Sequence, residues 1–336
     1  MSSGARWITE ADVVDLMDLR QAIDALEAGL KLESAGTARN MSKAHVTWGE
    51  GDTLHAIGAT FEGAGFVGTK SWAHTQGGAT PLLIIWAAAT GELVAIIEAF
   101  ALGQLRTGGM SGVATRWMAR PDADVLAMIG TGKQALAQVG AVAAVRELKA
   151  VRVFGRDVQR RNGCVEALKA LGFPFTVVPA STVAEATAGA SIVTLATRAR
   201  EAFFTSAMAR SETHINAIGA ITPEREEFAA DILPRAGLVC ADDPEAARRL
   251  SKEFAAFYGN DWRPVKPLSQ LIAEGRGRLP GCDLSVFKAM GMGVSDMALG
   301  IEIHRLALAQ GRGRQIEAPR RIPPRLNKNG LSELMR

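Results

Sequence analysis

The segment from Asp124 to Ala137, Asp-Val-Leu-Ala-Met-Ile-Gly-Thr-Gly-Lys-Gln-Ala-Leu-Ala, limits what this chain can fold into more than any other. Val125 to Ile129 form an apolar run of strand length that ends in Gly130-Thr131-Gly132. A segment rich in Ala, Gln, Val, Glu and Leu follows at once. A strand, a glycine turn and a helix in that order make the seat of a dinucleotide pyrophosphate. The first glycine permits the sharp turn, and the second lets backbone N–H groups approach the phosphates. The unpaired N–H groups and positive dipole end of the helix then meet the negative charge. Ala135 stands where a third glycine is usual and is small enough for close helix–strand packing. Gly130, Thr131, Gly132, Lys133 and Gln134 are therefore expected to contact the cofactor.

From this point the chain alternates. Strands are predicted at Val125–Ile129, Val151–Phe154, Phe175–Val178, Ser191–Leu195, Thr213–Ile218 and Leu238–Ala241, with helices at Lys133–Leu148 and Val158–Leu171. Strands separated by helices of this length imply a mostly parallel, doubly wound sheet. Ala196 and Thr197 fall at the carboxyl edge of that sheet, where such folds bind their ligand. Before it, residues 9–33 read as two short helices capped by Thr9 and Asp18, with Leu16, Leu19, Ile23, Leu26 and Leu30 as a helix-period stripe. Strand patterns broken by glycines occupy residues 44–101. They include a hairpin of Leu82–Ala89 and Leu93–Ala99, and a helix follows from Leu102 to Met118. A last helix is predicted from Met297 to Ala309, and the basic, Pro- and Gly-rich tail from Gly311 is expected to be loosely packed.

The end of the second strand bears on which nucleotide is bound. An acidic residue there suits the two ribose hydroxyls of NAD, whereas arginine suits a 2′-phosphate. Here Phe154 is followed by Gly155, Arg156 and Asp157, then Arg160 and Arg161. Asp157 comes late and suits an N-cap, so NADP(H) is favoured and NAD(H) stays possible. The alternative is that the arginines form a solvated helix face.

Composition removes several classes. A net charge of +3 over 336 residues, with basic residues scattered up to the last thirty, argues against a nucleic-acid surface. The three cysteines lie far apart without metal-ligand spacing, so free thiols in a reducing compartment are expected, and no metal. No secretory signal is seen, and the most apolar run is too short to span a bilayer, which makes the cytoplasm the expected location.

Several stretches together resemble the ornithine cyclodeaminase/mu-crystallin family. They are Val67-Gly68-Thr69-Lys70, Leu105-Arg106-Thr107-Gly108-Gly109, Gly130-Thr131-Gly132-Lys133-Gln134-Ala135, Ile215-Asn216-Ala217-Ile218-Gly219-Ala220 and Phe287-Lys288-Ala289-Met290-Gly291, with Asp296 following. They run in the family's order over roughly residues 10 to 310. The resemblance implies a Rossmann domain, residues 121–296, inserted into an α+β substrate-binding and dimerisation domain, residues 1–120 plus 297–336. It also implies a homodimer and a reaction centre in the cleft between domains.

By resemblance Lys70 contacts the substrate carboxylate. Arg106 does the same, and its guanidinium could equally reach the pyrophosphate; Thr107 belongs to the phosphate-binding loop. Gly219 and the Gly291–Asp296 segment are expected to line the nicotinamide pocket. A further family arginine aligns with Lys43, with Arg39 as the competing candidate. Cyclodeaminases of the family place a water-activating aspartate where this chain has Ile221, and isoleucine can neither accept a proton nor orient a water. Hydride transfer survives that loss. The expected activity is NADP(H)-dependent reduction of a small α-imino acid, such as Δ1-pyrroline-2-carboxylate or Δ1-piperideine-2-carboxylate, to the L-amino acid. Lys70 and His74, four residues apart on one strand face, are the candidate proton donors. The alternatives are an acyclic imino acid (iminosuccinate or the alanine type), ornithine cyclodeamination, or a non-catalytic NADPH-dependent ligand carrier of the mu-crystallin kind. Trp48, Trp72 and Trp86 are expected in the core or at a dimer interface rather than around a substrate.

Overall fold

The computed structural model describes residues 4–317, 319–320 and 322–324. Two sheets carry the chain. The first is mixed, with strands in the order Arg314–Gln315, Arg6–Ile8, Leu93–Glu98, Leu82–Ala87, Phe66–Thr75, Asp52–Phe61 and Ala38–Asn40. Ala44–Trp48 pairs on Asp52–Phe61, and Gly78–Ala79 on Phe66–Thr75. The second is parallel throughout, in the order Thr176–Pro179, Ala150–Phe154, Val125–Ile129, Ile192–Leu195, His214–Ala217, Leu284–Lys288, Ala236–Ala241 and Val265–Pro267. This is the doubly wound α/β sheet that the alternation predicts. Its strand order reverses between Val125–Ile129 and Ile192–Leu195, the switch point at which open parallel sheets bind ligands.

Local chemistry explains the elements. Thr9 and Asp18 each form a reciprocal capping box, with Asp12 and Gln21 respectively, at the starts of helices Glu10–Leu16 and Leu19–Ser34. Such caps are worth about 1 kcal/mol each. The second of these helices ends within one residue of the expected boundary and buries Ile23, Leu26 and Leu30 of the predicted stripe. In the parallel sheet both faces are covered, so successive residues enter different cores. Leu126 and Met128 pack with Val151, Val153 and Val139, whereas Ala127 and Ile129 pack with Val193, Leu195 and Ile215.

Three readings needed correction. The helix after the glycine turn is shorter than predicted, Ala135–Ala143, because the chain turns at Ala144 and Arg146 anchors the following bend with bonds to the carbonyls of Thr115, Ala119 and Arg120. The strands Leu284–Lys288 and Val265–Pro267 were not anticipated. The tail is not loose at its start. Arg314–Gln315 pairs antiparallel with Arg6–Trp7, and Ile316 N–H donates to the Ala5 carbonyl at 2.8 Å. Most of the expected loose tail, residues 318, 321 and 325–336, lies outside the described residues.

The last helix, Gly293–Ala309, lies against the first sheet rather than the parallel one, and packs on Leu19–Ser34 and Asp52–Phe61. Its first turn comes very close to that sheet: a Cβ on Gly293 would lie 1.9 Å from the Gly58 carbonyl oxygen. Only glycine fits there. Asn40, at the sheet edge, caps this helix from outside, its Oδ1 accepting Gly293 N–H at 2.6 Å and Val294 N–H at 3.2 Å. The start of the helix is thereby held over the strand that carries Lys70.

Candidate active site

At the switch point the backbone has the conformation that the glycine pattern implies. Gly130 has φ +114°, and a Cβ there would lie 2.4 Å from the Ala196 carbonyl oxygen. Its N–H donates to Phe154 at 2.8 Å, which ties the turn to the second strand, while Ala196 N–H donates to Ile129 at 2.8 Å. Gly132 has nothing near its would-be Cβ. Among the described residues the N–H groups of Thr131 to Gln134 have no backbone partner, and no side chain caps the helix that follows. An uncapped helix start behind an open glycine fits a pyrophosphate. Lys133 is exposed, with its ammonium 5.7 Å from the Phe100 ring centroid.

Gly155 is buried against the Thr131 side chain. Arg156 is exposed, and among the described residues no carboxylate pairs with it. Asp157 is the N-cap of Val158–Ala170, accepting Arg160 N–H at 3.0 Å. Arg160 reaches that carboxylate only at 3.8 Å, and Arg161 turns back to the Gly155 carbonyl at 3.4 Å. Of the four charged groups, Arg156 is the one left free at the strand end.

The second half of the site is a knot of charge. Lys70, 4% exposed, makes an ion pair with Asp296, which is 0% exposed. Arg106 Nε lies 3.4 Å from the same carboxylate oxygen. Burial pushes the Lys70 ammonium down to about 8. Asp296 opposes that shift, and the Arg106 and Lys43 charges add to it. Lys43 is half-buried, and burial and Arg106 lower its ammonium as well. Several cations thus face one buried acid, an arrangement suited to an anionic ligand. Asp296 Oδ2 and Arg106 Nε are buried without a hydrogen-bond partner among the described residues, which leaves polar capacity unused at the centre of the cluster. Gly291 joins the two halves: its would-be Cβ lies 3.2 Å from an Arg106 guanidinium nitrogen.

The structure brings Lys43, Lys70 and Arg106 together with Asp296. Arg39, the competing candidate, points elsewhere and pairs with Glu62 on the exposed edge. Thr107 spends its hydroxyl on its own helix, donating to the Gly103 carbonyl at 2.8 Å. His74 shares a strand face with Lys70 but sits at the exposed end, in register with Thr53 and Ala79. It is not brought to the ion pair.

Trp72 is the opposite case. Rather than lying in the core, it is half-buried with its ring centroid 5.3 Å from the Lys70 ammonium and 5.9 Å from that of Lys43, and it stacks on His55 at 4.8 Å. Burial and the Lys43 charge push the His55 imidazole down to about 4, so it is a neutral wall. Trp72 lies two residues from Lys70, and the strand period of two was the signal that could have placed it in the site. Ile221 packs on the apolar core, as its side chain requires.

The ornithine cyclodeaminase/mu-crystallin family model matches residues 6–310. A Delta(1)-pyrroline-2-carboxylate reductase of Bacillus cereus (strain ZK / E33L) is 30% identical over 236 residues, 68% of this chain and 71% of that protein. The structure of Thermococcus litoralis Delta(1)-pyrroline-2-carboxylate reductase with NADH and L-proline superposes with a TM-score of 0.86 at 22% identity, covering 93% of this chain and all of that one. An archaeal alanine dehydrogenase dimer with bound NAD gives 0.85 at 25% identity, covering 93% and 99%. The chain therefore belongs to the ornithine cyclodeaminase/mu-crystallin family.

Proposed function

We propose that the chain is an oxidoreductase that reduces a small α-imino acid, a cyclic ketimine such as Δ1-pyrroline-2-carboxylate or Δ1-piperideine-2-carboxylate, to the L-amino acid with NADP(H). The observation that carries this reading is the buried Lys70–Asp296 pair flanked by Arg106 and Lys43. A protonated cyclic imino acid is a zwitterion. Its carboxylate matches the cations, and its iminium N–H matches the unpartnered Asp296 Oδ2. Reduced nicotinamide, when bound across Thr197, Gly219 and Gly291, supplies the hydride. Lys70, with its ammonium near about 8, can hold the carboxylate and return a proton where one is needed. The Trp72–His55 wall bounds the space beside the ammonium groups.

The free Arg156 at the second strand end supports NADP(H) over NAD(H). A two-domain division with its first boundary at 120/121 belongs to the same reading, as does the cytoplasm as location. The second boundary, expected at 296/297, falls inside the helix Gly293–Ala309, so we place it before Gly293. No helix among the described residues is long and apolar enough to cross a membrane. A homodimer is supported by one face of the outer strands, where Val46, Trp48 and Leu54 are 57%, 44% and 47% exposed. The deciding experiment follows NADPH oxidation with a panel of cyclic and acyclic imino acids, iminosuccinate and pyruvate plus ammonia among them. Turnover confined to cyclic ketimines supports the proposal. Faster turnover of an acyclic imine moves the assignment to the alanine or iminosuccinate type. Tight NADPH binding without turnover would make the chain a carrier.

A further inference from the structure

We propose that Glu227 is a positioning residue that holds the nicotinamide end of the cofactor cleft, an inference that rests on the cofactor reading above. Its carboxylate is 0% exposed and lies between the ends of two neighbouring parallel strands. One oxygen accepts Thr197 N–H at 2.6 Å and the Thr197 hydroxyl at 2.8 Å. The other accepts Gly219 N–H at 2.7 Å and Ala220 N–H at 3.1 Å. The ladder between these strands runs out at Ile218 N–H, which donates to the Leu195 carbonyl at 2.9 Å. Beyond that point the carboxylate takes the place of strand pairing.

The chemistry of this clamp is selective. It presents four donors to two oxygens, and a carboxylate is the side-chain group with two acceptor-only oxygens. Glutamine would turn an NH₂ group toward N–H groups on one side, and aspartate is a methylene shorter. The clamp is itself held: Glu227 N–H donates to Glu253 at 3.0 Å, and Glu253 pairs with Lys288 at 3.2 Å, both fully buried. Lys288 ends the next strand of the sheet, so three adjacent strand ends are tied together. With its oxygens occupied and no exposure, Glu227 cannot activate water in place of the aspartate missing at Ile221. It acts through Thr197 and Gly219.

The test compares two nucleotides on the full chain by titration calorimetry: NADPH, and 2′-phospho-ADP-ribose, which lacks only the nicotinamide. Glu227→Gln is expected to weaken NADPH about tenfold or more and to leave 2′-phospho-ADP-ribose within about twofold. Hydrogen exchange should quicken at residues 196–199 and 217–221 and stay unchanged at 130–135. Should Glu227→Gln fail to fold, Thr197→Val removes one donor at nearly constant shape and is expected to weaken NADPH about threefold. Thr197→Ser, which keeps the hydroxyl, should match the parent chain. Equal weakening of both nucleotides, or no weakening of NADPH, overturns the assignment. Both titrations measure binding, so failure of the imine reductase reading would leave their outcome untouched.

Discussion

Asp296 and Glu227 are both carboxylates with 0% exposure, yet they sit in opposite surroundings. Asp296 faces side-chain cations, Lys70 and Arg106, with one oxygen lacking a hydrogen bond. Glu227 faces backbone N–H groups and a hydroxyl, with both oxygens bonded. A buried acid saturated by main chain fixes geometry. One that faces side-chain cations and keeps an oxygen without a hydrogen bond has capacity left for a ligand. The difference is what one expects between a scaffold carboxylate and the reaction centre proposed above.

The largest effect that tests this contrast should come from Lys70. Lys70→Ala leaves Asp296 with Arg106, 3.4 Å away, as its ion-pair partner, and kcat/KM for the imino acid is expected to fall about a thousandfold. NADPH affinity should change less than about threefold; a parallel loss of nucleotide binding would make Lys70 scaffold. Next comes pH. Burial depresses the Lys70 ammonium to about 8, so kcat/KM should hold below that pH and fall about tenfold per unit above it. Asp296→Asn removes the counter-charge that opposes the depression. The alkaline limb should therefore move down by about one unit, measured as a full pH–rate profile.

Arg156→Ala should weaken NADPH about tenfold and NADH less than about twofold, by direct titration; equal weakening would remove the 2′-phosphate role. The smallest effect is expected at Arg39, whose exposed pair with Glu62 lies apart from the charge cluster. Arg39→Ala should leave kcat/KM within about twofold.

Much of this was legible in the sequence where sterics or a short motif decides. Gly130 announces its turn because few other residues tolerate that φ, and the alternation of strands and helices gives the parallel sheet. Lys70 and Arg106 are carried by local motifs. Their pairing with Asp296 is not, because it depends on a helix start 226 residues from Lys70 being pressed against the sheet. Asn40 and Glu227 were missed for the same reason: each acts on backbone groups brought near by folding, and no spacing in the chain records that. Trp72 was not expected beside the charge cluster because a large aromatic usually fills a core or an interface, although its distance from Lys70 along one strand placed both on one face. His74 satisfies the same periodicity and still lies outside, since strand phase gives direction and not reach.

The contact between Gly293 and Gly58 makes an unexpected point of fragility. A single methyl added at position 293 would tilt the opening turn of the final helix off the sheet and carry Asp296 away from its lysine, although no charge, proton or cofactor contact had been altered. In a relative whose motifs all survive, silence of the enzyme could begin with one carbon atom placed where two backbones touch.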